Sequence, residues 1–367
     1  MHALPTRRRW LLAAGLGACL PSAYALPPRA LSFPRDHGSH PLRRTEWWYI
    51  TGQLRAAGTL WGFQITFFRS RVDVAQGLHS AFAARQLLFA HAALTDVAGK
   101  RLRHDQRIAR AGFGIAEASE ADTDVRLADW LLRRQPIAAP GSSRYTIRAQ
   151  AQDFALALTA TSTQPLLLQG EQGLSRKGPL PENTSCYVSQ PQLALSGHIQ
   201  VAGQPLPVQA GTAHDNRAWM DHEWSDALMH PDAVGWDWIG INLTGGGALT
   251  AFILRRADGG TLWAGGSLRA SADAPVQGFG HDSVRFTPLR HWTSPATGTR
   301  YPIEQQIDCP AGRFTLHALV DDQELDSRAS TGAIYWEGLG SLRNTLGREV
   351  GRGYLELTGY AGALRLG

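Results

Sequence analysis

A cluster of acidic, histidine and tryptophan residues is the part of this sequence most able to do chemistry. It reads A-W-M-D-H-E-W-S at 218–225 and is followed by G-W-D-W at 235–238. Aspartate is disfavoured in plain β-strands, so several acids packed among tryptophans need another explanation. Carboxyl groups among indole rings in a poorly hydrated pocket have raised pKa values, which suits general acid catalysis near neutral pH.

If this segment is a strand, alternate side chains point to opposite faces. Asp221 and Glu223 are then predicted to share one face, and His222 and Trp224 the other. We expect Asp221 or Glu223 to be the catalytic acid, with His222 as its partner. Aromatic faces would stabilise a carbocation formed by protonating an alkene. The alternative is a structural ion network between domains that involves Arg217.

An earlier cluster, R-T-E-W-W-Y at 44–49, has the same alternating character. Trp47 and Tyr49 are predicted to share one face of a strand, and Glu46 and Trp48 the other. The alternative is that Glu46 forms a salt bridge with an arginine at a barrel mouth while the tryptophans belong to the core. The predicted substrate-binding residues are Glu46, Trp47, Trp48, Tyr49, Trp224, Trp236 and Trp238.

Other chemistries are less well supported by the sequence. His37 and His40 could join the 221–223 segment as metal ligands, but no recognised metal-binding spacing is present. The stretch G-L-S-R-K-G at 173–178 breaks the serine-hydrolase motif, and Gly245–Gly247 lies in a predicted hairpin turn rather than before a helix. We therefore predict no metal and no other cofactor.

Residues 1–25 have the pattern of an export signal: Arg7–Arg9, then a short apolar run, then Ala23-Tyr24-Ala25. Paired arginines are typical of twin-arginine export. Leu16-Gly17-Ala18-Cys19 alternatively resembles a lipoprotein signal whose cysteine is acylated. The sequence thus predicts a periplasmic or secreted protein, which would contact a membrane only if it were lipidated at Cys19.

Removing residues 1–25 takes away three arginines and no acids, so 36 Lys+Arg become 33 against 31 Asp+Glu. A nearly neutral protein lacks the concentrated basic surface that nucleic-acid binding needs. Cys186 and Cys309 would remain. An oxidising compartment permits a disulfide between them, but the sequence leaves this pairing open.

An internal repeat gives the organisation of the chain. Residues 47–65 superpose on 236–254 at a constant offset of 189 residues, with Trp47 on Trp236 and Ile65 on Leu254. Further matches follow in the same order: Phe89-Ala90 with Trp263-Ala264, 145–147 with 301–303, and 193–197 with 355–359. Such ordered self-similarity indicates duplicated units.

The repeat predicts two homologous domains, at 30–205 and 210–367, joined near 203–207. Frequent glycine turns between short apolar stretches indicate β-sandwiches or barrels. Residues 124–134 are ambiguous between helix and strand, and the repeat favours a strand. The stretch 69–87 has no counterpart in the second half and is predicted to be a loop or lid.

The order of these motifs resembles the carotenoid 1,2-hydratase/AttH family of lipocalin-like proteins. The resemblance covers nearly all of the mature chain and implies an all-β fold of two homologous lipocalin-like antiparallel β-barrel or sandwich domains. Its known members include isoprenoid and phytoalexin hydratases, pericyclases, predicted secreted hydrolases and AttH components encoded beside ABC transporters. The motifs that carry it lie at 33–54, 173–178, 218–225, 235–238, 335–338 and 353–361.

The resemblance implies a catalytic role for His222 and Trp224, which match a His-x-Trp of the hydratases. Those enzymes also use a downstream aspartate and tyrosine, and Leu249–Arg255 offers neither. This departure argues against hydration of carotenoids themselves. We therefore expect an exported protein that binds a hydrophobic lipid or isoprenoid-like molecule and hydrates or hydrolyses it. The alternative is a non-catalytic carrier that works with an ABC transporter permease.

Overall fold

The computed structural model describes residues 30–138, 141–212, 214–227 and 229–363. The predicted export signal, including Cys19, lies outside the described residues. Within them the chain is all-β apart from two single-turn 3-10 helices, at Arg35–His37 and Asp73–Ala75. No helix in these ranges is long and apolar enough to cross a membrane.

The first sheet is antiparallel and has the spatial order β4-β3-β2-β1-β14-β12-β9-β8-β7-β6-β5, with β10, β11 and β13 also paired to β12. Its strands are β1 Thr45–Ala56, β2 Thr59–Arg71, β3 Gln86–Asp96, β4 Arg101–Arg110, β5 Ala116–Ala118, β6 Asp124–Leu127, β7 Trp130–Pro136, β8 Ser143–Gln150, β9 Phe154–Thr161, β10 Leu167–Leu168, β11 Leu174–Arg176, β12 Thr184–Val201, β13 Gln204–Pro207 and β14 Arg217–Ser225.

The second sheet is also antiparallel, with the order β18-β17-β16-β15-β24-β23-β21-β20-β19 and β22 paired to β23. Its strands are β15 Gly235–Leu243, β16 Ala248–Arg255, β17 Thr261–Arg269, β18 Val276–Phe279, β19 Arg285–Thr293, β20 Arg300–Cys309, β21 Gly312–Ala318, β22 Glu324–Ser327, β23 Ala333–Asn344 and β24 Glu349–Leu357.

The two sheets share one topology, because the orders from β4 to β7 and from β18 to β19 correspond strand for strand. The predicted hairpins are present, with Trp47 opposite Phe68 and Trp236 opposite Leu254. The fold is thus all-β and built from two related lipocalin-like sheets. One predicted match fails: residues 193–197 lie in β12, whereas 355–359 begin in β24, whose counterpart is β14.

The chain passes between the sheets later in the sequence than the predicted junction at 203–207. Those residues form a tight hairpin around Gly203, at φ +79°, and β13 pairs back onto β12. β14 then enters between β1 and β12, so the acid-rich segment expected to start the second domain belongs to the first sheet. Glycine and proline mark hairpin turns and linkers alike, which is why the sequence did not separate them.

Other local predictions are confirmed. The ambiguous stretch at 124–134 forms strands β6 and β7, and residues 72–85 form the loop between β2 and β3. Cys186 lies buried in β12 of the first sheet and Cys309 ends β20 of the second, and no disulfide joins these two described residues.

The three largest apolar clusters of the described residues lie one in each domain and one between the domains. In β1, Trp48 and Ile50 enter the first core while Tyr49 points the other way, into the interdomain cluster. β1 and β14 are therefore buried on both faces, as central strands covered by layers on each side must be. The buried members of the interdomain cluster are Tyr49, Leu167, Trp219, Ala233, Trp238, Ala248, Phe252, Leu254, Leu262, Leu339 and Tyr354.

Candidate active site between the two domains

β14 separates the predicted catalytic residues onto two sides of the first sheet. Its register places Asp221 opposite Tyr49 and His222 opposite Trp48. Asp221 and Glu223 face the second domain, whereas His222 faces the interior of the first, because side chains alternate along a strand. The shared face predicted for the two acids is confirmed. The predicted partnership of either acid with His222 is wrong, because the sheet itself lies between them.

Inside the first domain, Glu46 is the centre of a hydrogen-bond network. Its carboxylate accepts from His40 Nδ1 at 2.7 Å, His222 Nε2 at 2.9 Å and Arg69 Nε at 2.8 Å. The His40 backbone N–H and the Ser39 hydroxyl also donate to it. Burial alone would raise the pKa of Glu46, but the hydrogen bonds from His222 and His40 and the charge of Arg69 hold the pKa well below its ordinary value. Glu46 is therefore a carboxylate at neutral pH.

Aromatic rings enclose this network. The His222 ring lies between Trp48, at 4.8 Å between centroids, and Trp224, at 4.7 Å, while the His40 ring stacks on Trp224 at 3.8 Å. Burial lowers the pKa of His222. This side of the sheet matches the alternative interpretation of Glu46. The Glu46 carboxylate forms a salt bridge with Arg69, and Trp48 lies in the core of the first domain.

His40, Glu46 and His222 are the described residues best placed to hold a metal ion, since one ligand atom of each lies within 4.8 Å of the others. Both histidine nitrogens already bond to the same Glu46 oxygen at hydrogen-bond distance, and Arg69 occupies the other oxygen. A cation at the shared oxygen would have to displace both of these hydrogen bonds and would lie close to the positive charge of Arg69. The donor set therefore fits a structural hydrogen-bond network better than a metal centre.

Asp221 lies on the opposite side of the sheet, at the domain interface, and its environment differs in charge. It accepts hydrogen bonds from Tyr187 Oη at 2.8 Å, Ser189 Oγ at 2.5 Å and Trp219 Nε1 at 2.8 Å, all of them neutral donors. Burial raises the pKa of Asp221 to about 7, and the nearby Glu223 carboxylate adds to the shift. Asp221 can therefore carry a proton at neutral pH and give it up.

Glu223 is placed differently, because a cation reaches it. Lys177 Nζ lies 3.1 Å from its carboxylate and 4.4 Å from the ring centroids of both Tyr187 and Phe252. The Ser185 hydroxyl also donates to Glu223. Lys177 belongs to the G-L-S-R-K-G motif, and its side chain is 23% exposed. The motif that breaks the hydrolase signature thus supplies a cation to the site.

Two further acids approach the interface from the second domain. Glu337 and Glu356 are directly opposite each other on β23 and β24. Glu337 is buried and Glu356 is half-buried. Burial raises the pKa of Glu356 to about 7, and the charges of Asp221 and Glu223 add to this shift. Burial and the charge of Glu356 raise the pKa of Glu337 well above its ordinary value. Sequence analysis missed both acids, although Y-W-E-G and Y-L-E-L-T-G carry them.

The duplicated fold explains why acids meet here. Trp238 is the repeat counterpart of Tyr49, and each of the two residues pairs with an acid on the next strand, Glu356 and Asp221 respectively. Asp221 and Glu356 thus occupy equivalent positions in the two domains. If the sequence of β24 had been aligned with that of β14 instead of β12, Glu356 would have been found as the counterpart of Asp221.

Aromatic side chains cover this acidic interface. Trp238 Nε1 donates to Tyr187 Oη at 3.1 Å, and the Tyr49 ring meets the Trp238 ring edge-on at 5.5 Å. Trp47 and Trp236 pack against the same cluster and are partly exposed. The predicted binding residues therefore divide: Trp47, Tyr49, Trp236 and Trp238 belong to the interface, whereas Glu46, Trp48 and Trp224 lie inside the first domain.

These features define a two-domain lipocalin-like protein with a buried acidic and aromatic interface. The chain belongs to the AttH-like family, whose model matches residues 24–360. A crystal structure of an AttH protein from Nitrosomonas europaea is similar to it at 44% identity, with a TM-score of 0.82, over 92% of this chain and 99% of that one.

More distant solved structures share the fold. Kievitone hydratase from Nectria haematococca is 14% identical, with a TM-score of 0.69, over 91% of this chain and 94% of that one. CghA is 11% identical, with a TM-score of 0.50, over 87% and 89%. No curated protein matches the sequence.

Proposed function

We propose that this protein binds a hydrophobic molecule between its two domains and adds water to it, or removes water from it, with Asp221 as the general acid. The observation that carries the proposal is the Asp221 carboxyl, which is fully buried among aromatic rings with a pKa raised to about 7. General acids work best when their pKa lies near the working pH. The hydratase among the structural neighbours is consistent with this chemistry.

In the hydration direction, the Asp221 O–H transfers its proton to one carbon of an alkene, and a carbocation forms at the other carbon. The π-faces of Tyr49 and Trp238 stabilise that positive charge. Water adds to the cation, and the resulting oxonium loses a proton to a carboxylate. We assign this role of base to Glu356, because it occupies the position in the second domain that is equivalent to Asp221 and its charge interacts with that of Asp221.

The ligand class follows from the residues around the acids. Indole, phenol and phenyl groups from Trp47, Trp236, Trp238, Tyr49 and Phe252 make most of the surroundings of these acids apolar. Such surfaces favour a lipid or isoprenoid-like molecule with few polar groups. Together with the predicted export signal, this ligand class supports action in the periplasm or outside the cell.

The test is incubation of the protein with a total lipid extract in ¹⁸O-labelled water, followed by mass spectrometry for products that have gained one labelled water. Asp221→Asn is expected to lower the rate by about 100-fold or more, because the amide cannot donate an acidic proton. Binding of the same lipid, followed by intrinsic tryptophan fluorescence, is expected to persist.

The matched control is Asp258→Asn, the same change at an exposed turn of the second domain, which should leave the rate unchanged. Full turnover by Asp221→Asn would overturn the assignment of the acid. Lipid binding without any labelled product would overturn the enzymatic proposal and favour a carrier.

A further inference from the structure

The loop between β2 and β3, together with the turn after β4, forms an exposed apolar surface that the proposed function does not use. Val74 is 90% exposed, Phe82 67% and Phe113 56%, and Leu78 and Ile115 are also more than half exposed. Soluble proteins expose single apolar side chains routinely, but clusters mark interaction sites. We refer to these five residues as the loop patch.

The loop patch is continuous across its two segments. The rings of Phe82 and Phe113 stack with their centroids 5.6 Å apart. The Arg110 guanidinium lies over both rings, 4.6 Å from Phe113 and 5.2 Å from Phe82, and donates a hydrogen bond to the Phe82 carbonyl. The two phenylalanines are therefore held together on the outside of the protein rather than folded into its core.

Two arginines beside the loop patch form no ion pair with an acid among the described residues. Arg85 donates to the Leu78 carbonyl, and neither Arg85 nor Arg110 forms a salt bridge with any described residue. Asp73, the acid next to Val74, is already paired with Arg71 at 2.8 Å. The side of the patch formed by Leu78, Phe82 and Phe113 is therefore positively charged.

The equivalent connection in the second domain has none of these features. β16 and β17 are joined by residues 256–260, R-A-D-G-G, whereas β2 and β3 are joined by residues 72–85. The loop patch is thus an addition to one copy of the duplicated fold. Neither the shared core nor the acidic interface requires it.

We propose that the loop patch docks the protein on the surface of an anionic phospholipid bilayer. Apolar side chains on loop tips can enter the boundary between headgroups and acyl chains, while arginines beside them bind lipid phosphates. A bilayer fits better than a protein partner, because the arginine over the two stacked rings has no acid partner among the described residues and the apolar groups project from two separate loops. This surface is independent of the catalytic proposal.

The test is co-sedimentation of the full chain with vesicles of phosphatidylglycerol and phosphatidylcholine, compared with vesicles of phosphatidylcholine alone. Phe82→Ser with Phe113→Ser should weaken binding to the anionic vesicles by about tenfold or more, because each ring loses its transfer from water into lipid. Arg85→Gln with Arg110→Gln should remove the preference for the anionic vesicles, and added salt should do the same to wild type.

Leu289→Ser with Leu346→Ser, at exposed positions of the second domain, is the matched control and should bind like wild type. Because residues 1–29 are identical in all these proteins, differences between them report on the loop patch. Circular dichroism checks that each variant is folded. The proposal would be overturned if wild type did not bind anionic vesicles or if the phenylalanine variant bound them as wild type does. It would also be overturned if the arginine variant kept the preference for anionic vesicles.

Discussion

Glu46 and Asp221 are both buried carboxyl groups, on neighbouring strands of one sheet, yet their protonation is driven in opposite directions. Glu46 receives hydrogen bonds from the Arg69 cation and two histidines, and its pKa is held well below its ordinary value. Asp221 receives hydrogen bonds only from a tyrosine, a serine and a tryptophan, and burial raises its pKa to about 7. The charge of the donors decides the outcome, since burial penalises the ionised form of both.

The two faces of the sheet therefore have different roles. A carboxylate that is always ionised and bonded to Arg69 stabilises the interior of the first domain. A carboxyl that exchanges its proton near neutral pH suits catalysis at the interface. The four predictions below test this contrast.

The largest effect is expected for Glu46→Gln. Removing this charge leaves the buried Arg69 guanidinium without its anion, which should lower the free energy of unfolding by about 3–5 kcal/mol. Asp221→Asn, at pH 4, should change it by less than about 1 kcal/mol, because an amide replaces a carboxyl that is neutral in the folded protein and about half neutral in the unfolded one. Urea unfolding followed by circular dichroism measures both. Equal losses of unfolding free energy for the two variants would contradict the proposed difference between Glu46 and Asp221.

The pH dependence should have opposite signs for the two acids. Folded Asp221 keeps its proton up to about pH 7, whereas the unfolded group loses it near pH 4. The stability of wild type relative to Asp221→Asn should therefore fall as the pH rises from about 4 to 7, by up to ~1.4 kcal/mol per pH unit. The advantage of wild type over Glu46→Gln should be complete above pH 4.5 and shrink as the pH falls below it. Urea titrations across this range check both slopes, and slopes of one sign would contradict them.

A smaller effect is expected where hydrogen-bonded side chains connect the two domains. His91 of β3 bonds to Tyr335 Oη at 2.7 Å and to Ser330 Oγ at 2.8 Å. His91→Phe removes one hydrogen bond from each hydroxyl, although Ser330 Oγ keeps its bond to Gln106 Oε1. The change should cost about 1–3 kcal/mol in unfolding free energy. His198→Phe, at an exposed position of β12, is the control and should cost much less. Similar losses for both would show that the interdomain bonds contribute little.

The smallest effect is expected for Lys177→Met. Its ion pair with Glu223 is partly solvated, so the unfolding free energy should change by less than about 1 kcal/mol. Arg69→Met, which removes the fully buried cation from Glu46, should cost several times more. Thermal unfolding of the two variants side by side makes the comparison. A loss for Lys177→Met as large as that for Arg69→Met would show that the interface depends on its ion pairs.

Most of the local architecture could be predicted from the sequence, because it depends on period and turn chemistry. Alternation alone assigned Asp221 and Glu223 to one face and His222 to the other. The constant offset between Trp47 and Trp236 predicted the duplicated all-β fold. These signals lie within single strands and hairpins, where neighbours in sequence are neighbours in space.

Only the tertiary structure decided which strands pair and which faces of the sheets pack together. β14 lies between β1 and β12, which brings Glu46 and Arg69 to His222, and the docking of the second sheet brings Glu356 towards Asp221. Strand order and sheet packing join residues far apart in the chain, and no local pattern encodes those pairings. The sequence therefore determined the residues able to do the chemistry, and the packing of the two domains determined which of them lie together.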